Sequence, residues 1–358
     1  MRFLGVFSAD YDKKFVLPEL RETMAKFGVY EHFDCERSSP PPADELVSRI
    51  AAADVILTGW STPKLPEAIL AAPGRKLRYV CHIAGQVSPF MTRKFIESGV
   101  LVTNWGDEGV WTFAEGTVAL IFGCLKDMHR IGPYMRKGKW EFAYTKPSPT
   151  LRDKTVGLIG FGAIARTVVE MLRPLACRFI VFDPFMGNWG QSPNSGDSPR
   201  TSPRTSRDAQ ASGAAAPVAR CAALDDIFAQ ADIVSVHCGL TPQTTGMIGA
   251  KQLDKLRPHA IFVNTSRGKV VREAELVEFL RRRPDVSAGL DVYETEPLPP
   301  DSPLRKLDNV ICYPHCVGRG GEVFDRILSG VAARNIEAFC THKPMQYVIT
   351  PEQYDRMT

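Results

Sequence analysis

No stretch of this 358-residue chain approaches the ~18 consecutive apolar residues of a membrane-crossing helix, so no transmembrane segment and no membrane partner are expected. The first apolar run, Phe3-Leu4-Gly5-Val6-Phe7, is cut off by Asp10, Asp12 and Lys13. It is too short for a signal-peptide core and reads as a first β-strand. The nine cysteines are odd in number and lack the spacing of a disulfide framework, which points to reduced thiols and a cytoplasmic protein. Strong charge of either sign is also lacking, since 44 basic residues face 40 acidic ones. The basic cluster Arg281-Arg282-Arg283 has no aromatic rings interleaved, so it reads as a solvated helix end and no nucleic-acid partner is expected. Metal-site spacing is missing as well. Around His315 only Cys312, Cys316, His237 and Cys238 look like donors, and a closed zinc site is not expected.

What is present is an ordinary globular composition, 44% hydrophobic and 23% charged, in a length that suits two domains. Short β-branched runs alternate with amphipathic stretches, the mark of βαβ units and parallel sheets. Early strands are expected at 2–7, 55–58, 79–82 and 100–103, with helices such as 18–27 and 44–52. The long apolar stretch 112–128 reads as a buried helix. A second series then predicts six strands, at 155–159, 179–182, 233–236, 260–263, 286–290 and 310–312, the number a full dinucleotide-binding sheet needs. Residues 187–217 break the pattern. They are rich in Ser, Pro, Gly, Arg and Ala, with almost no apolar residue able to enter a core, and are expected to be a disordered insertion between the second and third strands of that series. A phosphorylated or partner-binding segment is the alternative.

Val156-Gly157-Leu158-Ile159-Gly160-Phe161-Gly162-Ala163-Ile164-Ala165 places a G-x-G-x-x-A pattern at a strand-to-helix turn. Gly160 allows the tight turn, and Gly162, with Ala163 and Ile164 at the helix start, lets backbone N–H groups approach a pyrophosphate. Asp183 follows 23 residues after Gly160 (183 − 160), near the spacing of the acid that holds the adenosine ribose hydroxyls. A carboxylate there repels a 2′-phosphate, so NAD is expected over NADP. As Asp183 precedes Pro184, it also suits a plain turn.

In open α/β sheets ligands bind beyond the carboxyl ends of the strands. Three successive strand ends in the second series carry Arg267, then Asp291 and Glu296, then His315. Reduction of a 2-keto acid needs a cation for the carboxylate and a proton donor for the growing alkoxide. Arg267 supplies a planar fork. His315 is the natural donor near neutral pH, and Glu296 is the carboxylate to fix its tautomer and hold it protonated. Singly, each is commoner as a surface ion pair or turn residue; together, behind a dinucleotide turn, they point to a dehydrogenase.

With these motifs, joined by Val236-His237-Cys238-Gly239-Leu240-Thr241, Asn264-Thr265-Ser266-Arg267-Gly268, the segment from Gly289 to Pro297 and Pro314-His315, the chain resembles the D-isomer-specific 2-hydroxyacid dehydrogenases. The resemblance covers most of the chain and is strongest from Thr155 to Arg319. It implies catalytic roles for Arg267, Glu296 and His315. It also implies cofactor contacts at His237, Thr241, Thr265 and Asp291, the last against the nicotinamide carboxamide. The implied fold is α/β with two Rossmann-like domains: a flavodoxin-like substrate domain of residues 1–115 to which 320–358 return, and a doubly wound NAD-binding domain of 116–319. A homodimer paired around Arg130–Pro149 is implied too. Departures fall at Ile83-Ala84-Gly85-Gln86-Val87-Ser88-Pro89, which lacks the family's usual Asp, at Ala114-Glu115-Gly116, at Gly239, and after His315. Ala84, Gly85 and Gln86 remain the expected holders of the substrate carboxylate with Arg267, while Gln86, Trp105 and Arg319 are recognition candidates, Arg319 for a second anion. The expected activity is interconversion of a 2-keto acid and its (R)-2-hydroxy acid. The alternatives are an NAD(H)-sensing, corepressor-like protein and a dehydrogenase of formate or phosphite type.

Overall fold

The computed structural model describes residues 1–140, 149–184 and 218–356. The chain divides into two compact units, Met1–Thr112 with Arg319–Thr358, and Phe113–Gly318.

The first unit holds β1 (Arg2–Phe7), β2 (Val29–Asp34), β3 (Val55–Thr58), β4 (Tyr79–His82) and β5 (Leu101–Thr103) in one parallel sheet of order β2-β1-β3-β4-β5. This is the flavodoxin-like order. The central strands are apolar runs because helices cover both faces, and Leu4, Val6, Ile56 and Val80 are buried with Ile50, Phe95 and Ile349. Ile349 comes from the returning C-terminal segment, whose N–H donates to the Val102 carbonyl at 2.8 Å. β2 was not anticipated from sequence. It is an edge strand reading Val-Tyr-Glu-His-Phe-Asp, with one buried residue, so it carries no apolar run.

The second unit holds β6 (Thr155–Ile159), β7 (Arg178–Phe182), β8 (Val218–Arg220), β9 (Ile233–Val236), β10 (Ile261–Asn264), β11 (Ser287–Leu290) and β12 (Val310–Cys312). All are parallel, in the order β12-β11-β10-β9-β6-β7-β8, a doubly wound sheet. Among the described residues there are seven strands rather than the six expected. The extra one, β8, is a three-residue edge strand with little burial, so nothing marks it in the sequence. The expected insertion 187–217 lies outside the described residues, and the strand that follows it is β8, not β9. Phe262 in β10 and Phe228 are fully buried with ring centroids 6.4 Å apart. Each side chain contributes about 1.5–3 kcal/mol by leaving water, and Phe262 anchors the strand whose end carries Arg267.

The long apolar stretch forms a helix over Val110–Leu125, burying Ala114, Leu120, Ile121, Cys124 and Leu125. It stops short of Met128 because Asp127 adopts a left-handed φ of 51°, after which a second helix spans Met128–Arg136. No helix among the described residues is long and apolar enough to cross a membrane.

Candidate active site

The switch point of the seven-stranded sheet lies between β6 and β9. At the end of β6, Gly160 takes φ 88°, and a Cβ there would fall 2.7 Å from the Cys238 backbone nitrogen. Both the conformation and the close approach require glycine. The Gly160 N–H donates to the Phe182 carbonyl at 2.9 Å. The helix Ala163–Leu172 begins at Gly162, which offers no side-chain cap, with Ala163 and Ile164 as its first residues. A Cβ on Gly162 would meet nothing within 4 Å. Open space therefore stands before a helix N-terminus whose first N–H groups have no helical acceptor, which fits a pyrophosphate.

Asp183, at the end of β7, reaches this turn, its Oδ2 accepting the Phe161 N–H at 2.8 Å. His237, at the end of β9, is half-buried and shares a 2.9 Å hydrogen bond between Nε2 and the Ser235 hydroxyl. Burial pushes its pKa down to about 4, so the ring is neutral at physiological pH. Thr241 closes a turn, its N–H donating to the Thr244 hydroxyl at 2.7 Å. Thr265 shares a 2.9 Å hydrogen bond with Thr117.

The next three strand ends bring the acid/base candidates together. His315 Nδ1 lies 2.6 Å from Glu296 Oε2. A carboxylate only accepts, so Nδ1 carries the hydrogen and Nε2 is the ring's other working nitrogen. The remaining Glu296 oxygen accepts the Tyr293 N–H at 2.9 Å, which fixes the carboxylate's orientation. Arg267 is half-buried, and burial holds its pKa below the usual guanidinium range while the charge of Glu296 opposes that. Its backbone is held by Asn264, whose Nδ2 donates to the Arg267 carbonyl at 3.1 Å and whose Oδ1 accepts the Ser266 N–H. Gly268 allows β10's end to press on the neighbouring segment, since a Cβ there would fall 1.9 Å from the Tyr293 carbonyl carbon. Arg267 and Glu296 are thus brought within reach of each other's charge by backbone packing.

Asp291 departs from a simple cofactor contact. Its carbonyl accepts the His315 N–H at 2.9 Å, and its carboxylate accepts the Cys316 N–H at 2.9 Å and the Val317 N–H at 3.3 Å. His315 itself sits at φ 49°, an uncommon conformation for a residue with a side chain. Asp291 therefore clamps the loop that presents His315, and the Tyr293 hydroxyl braces it, its single hydrogen shared between the Leu290 and Tyr313 carbonyls at 3.0 and 2.9 Å. Tyr293, Asn264 and Ser235 were not singled out from sequence. Asn264 and Tyr293 stand within the motifs that carry the resemblance, and Ser235 is marked only as a polar side chain in an apolar strand.

Burial raises the Asp291 pKa from 3.8 to about 6. Between those values the folded chain keeps a proton that the unfolded chain has lost, so this group makes stability fall as pH rises through the window. Relative to wild type, Asp291→Asn should therefore gain in Tm as pH goes from 4 to 7, read by thermal unfolding across that range. A difference that does not change with pH would contradict the assignment.

The loop Ala84–Gln86 belongs to the first unit. The Ala84 carbonyl accepts the Trp105 N–H at 3.2 Å, and the Gly85 carbonyl accepts Asn104 Nδ2 at 2.6 Å. The buried His82 donates from Nε2 to the Gln86 carbonyl at 3.0 Å and accepts the Thr58 hydroxyl at Nδ1, while burial keeps it neutral with a pKa of about 3. With the carbonyls tied down, the Ala84 and Gly85 N–H groups donate to no acceptor among the described residues.

The family model described as "D-isomer specific 2-hydroxyacid dehydrogenase, NAD binding domain" matches residues 118–194 and 201–317. The chain is 29% identical over 317 residues to a glyoxylate reductase of Korarchaeum cryptofilum, covering 87% of this chain and 88% of that one. It is 26% identical over 321 residues to a hydroxypyruvate reductase of Blautia hydrogenotrophica, covering 87% and 90%. In fold it is similar to the D-lactate dehydrogenase of Lactobacillus jensenii solved with NAD+, with TM-score 0.72, 21% identity, and 98% and 100% of the two chains covered.

Proposed function

This chain belongs to the D-isomer specific 2-hydroxyacid dehydrogenase family, with NAD as its cofactor, and from that premise we propose that it reduces a 2-keto acid to the (R)-2-hydroxy acid. The observation that carries the reading is the 2.6 Å pair of His315 and Glu296 on a strand end beside Arg267. Bound NADH supplies the hydride that adds to C2 of the keto acid. The Arg267 guanidinium grips the substrate carboxylate and polarises the carbonyl. His315 Nε2 delivers its proton to the oxygen as it becomes a hydroxyl, and Glu296 holds the ring's tautomer and direction while it is charged. The N–H groups of Ala84 and Gly85, with Gln86 beside them, are assigned to carboxylate binding in the first unit. Gly160, Gly162, Ala163 and Ile164 receive the pyrophosphate, Asp183 the adenosine ribose, and His237, Thr241, Thr265 and Asp291 the nicotinamide end of the cofactor.

A panel of 2-keto acids with NADH tests this. Oxidation of NADH with formation of the (R)-hydroxy acid is the expected result, and tight NADH binding without turnover of any acid would favour a sensor instead. Asp183→Asn keeps an acceptor for the Phe161 N–H but removes the charge that repels a 2′-phosphate, so the preference in kcat/KM for NADH over NADPH should shrink by about tenfold or more. An unmoved ratio would remove Asp183 from cofactor choice.

We also propose a cytosolic homodimer. All nine cysteines are free thiols. Met128, Met135 and Trp140, in or next to the Arg130–Pro149 segment, are exposed apolar side chains suited to a second copy. Residues 141–148 of that segment lie outside the described residues.

A further inference from the structure

Building on the proposed reaction, we infer that the substrate carries an aromatic side chain, bound by Trp60 and Trp105 in the first unit. The five-stranded order reverses between β1 and β3, and ligands of such sheets sit beyond the carboxyl ends at that reversal. Trp60 follows β3 at that end and leaves 42% of its surface exposed. Its ring lies 5.2 Å from Trp105, edge to face, and 6.4 Å from Phe324, stacked, with Phe324 5.4 Å from Trp105. Tyr11 and Phe15 back Trp60 at 6.0 and 5.7 Å.

The cluster is continuous with the carboxylate loop. Trp105 donates its backbone N–H to Ala84, and its indole packs so closely on Gly85 that a Cβ there would fall 2.7 Å from the ring. A keto acid whose carboxylate lies on the Ala84 and Gly85 amides therefore has aromatic faces within a side chain's length. Ring edges and faces at these separations suit another ring. They do not suit a phosphate: Lys14, a cation of this cluster, is paired with Asp325 at 3.6 Å, and that carboxylate would repel a second anion.

The test compares kcat/KM for phenylpyruvate, glyoxylate and 3-phosphohydroxypyruvate with NADH, in wild type, Trp60→Ala and Trp60→Phe. Phenylpyruvate should be preferred to glyoxylate at least tenfold, and Trp60→Ala should lower that ratio by about tenfold or more, the scale of one or two methylenes in an apolar pocket. Trp60→Phe should restore most of it, which a merely misfolded variant would not explain. Preference for glyoxylate or for the phosphorylated acid, or a ratio unmoved by Trp60→Ala, overturns the aromatic assignment and leaves the reaction standing. Turnover of none of the three, nor of any other 2-keto acid, overturns the reaction itself and this inference with it.

Discussion

Replacing His315 with alanine lowers keto-acid-dependent NADH oxidation by about 10²–10⁴-fold, the usual contribution of a placed general acid, while NADH binding survives. The separation follows from the residues involved. The turn at Gly160 and Gly162 and the acid Asp183 stand on β6 and β7, whereas His315 follows β12, at the far edge of the same sheet. Removing an imidazole that is half exposed leaves no unpaired partner in the core, so loss of fold is not a rival explanation. Glu296→Gln is the companion variant. Its amide oxygen still accepts the Nδ1–H, so the ring keeps its tautomer, but the negative charge facing the imidazolium is gone. Reduction should fall by less than in His315→Ala. Turnover unchanged in His315→Ala would end its assignment as the proton donor.

Arg267→Ala has the second large effect. A guanidinium gripping a carboxylate makes two charge-assisted hydrogen bonds, each worth about 1.5–3 kcal/mol, so kcat/KM for the keto acid should fall by about 10²–10⁴-fold at that scale. Part of the loss should appear in KM, because the carboxylate is held before and during reaction. Arg267→Lys should recover only a little, since an ammonium lacks the planar fork. Added guanidinium should rescue Arg267→Ala in part, whereas damage to the loop would not respond to it. A variant with wild-type KM and kcat would remove Arg267 from substrate binding. The arginine is well placed for this work: Asn264 holds its backbone, and its half-burial weakens competition from water.

How much of this could be read from the residues alone depends on where each signal resides. Central strands of parallel sheets are continuous apolar runs, so β1, β3, β4, β6, β9, β10 and β11 stand out in the sequence. The edge strands β2 and β8 expose most of their side chains and look like loops. The helix break at Asp127 rests on a backbone conformation that no hydrophobic pattern encodes. As candidates, Asp183, Arg267, Glu296 and His315 could be singled out because charged and imidazole groups follow successive strands in order, and Gly160 because it stands in a glycine-rich strand-to-helix turn. The part Asp291 plays was not. Its carboxylate binds backbone N–H groups, and every residue but proline has one. Trp60 was invisible for another reason. A lone tryptophan after a strand reads as core, and only the sheet order sets the ends of β3, β4 and β5 side by side with Trp60, Gly85 and Trp105 on them.

The most direct measurement is the fate of the label when the wild-type enzyme reduces a 2-keto acid with NADH deuterated at the transferring C4 position. The expected product is an (R)-2-hydroxy acid carrying one deuterium at C2, with an unlabelled hydroxyl proton drawn from solvent through His315. A 2-hydroxy acid without deuterium at C2, or NADH bound and unconsumed in the presence of every acid offered, would contradict it.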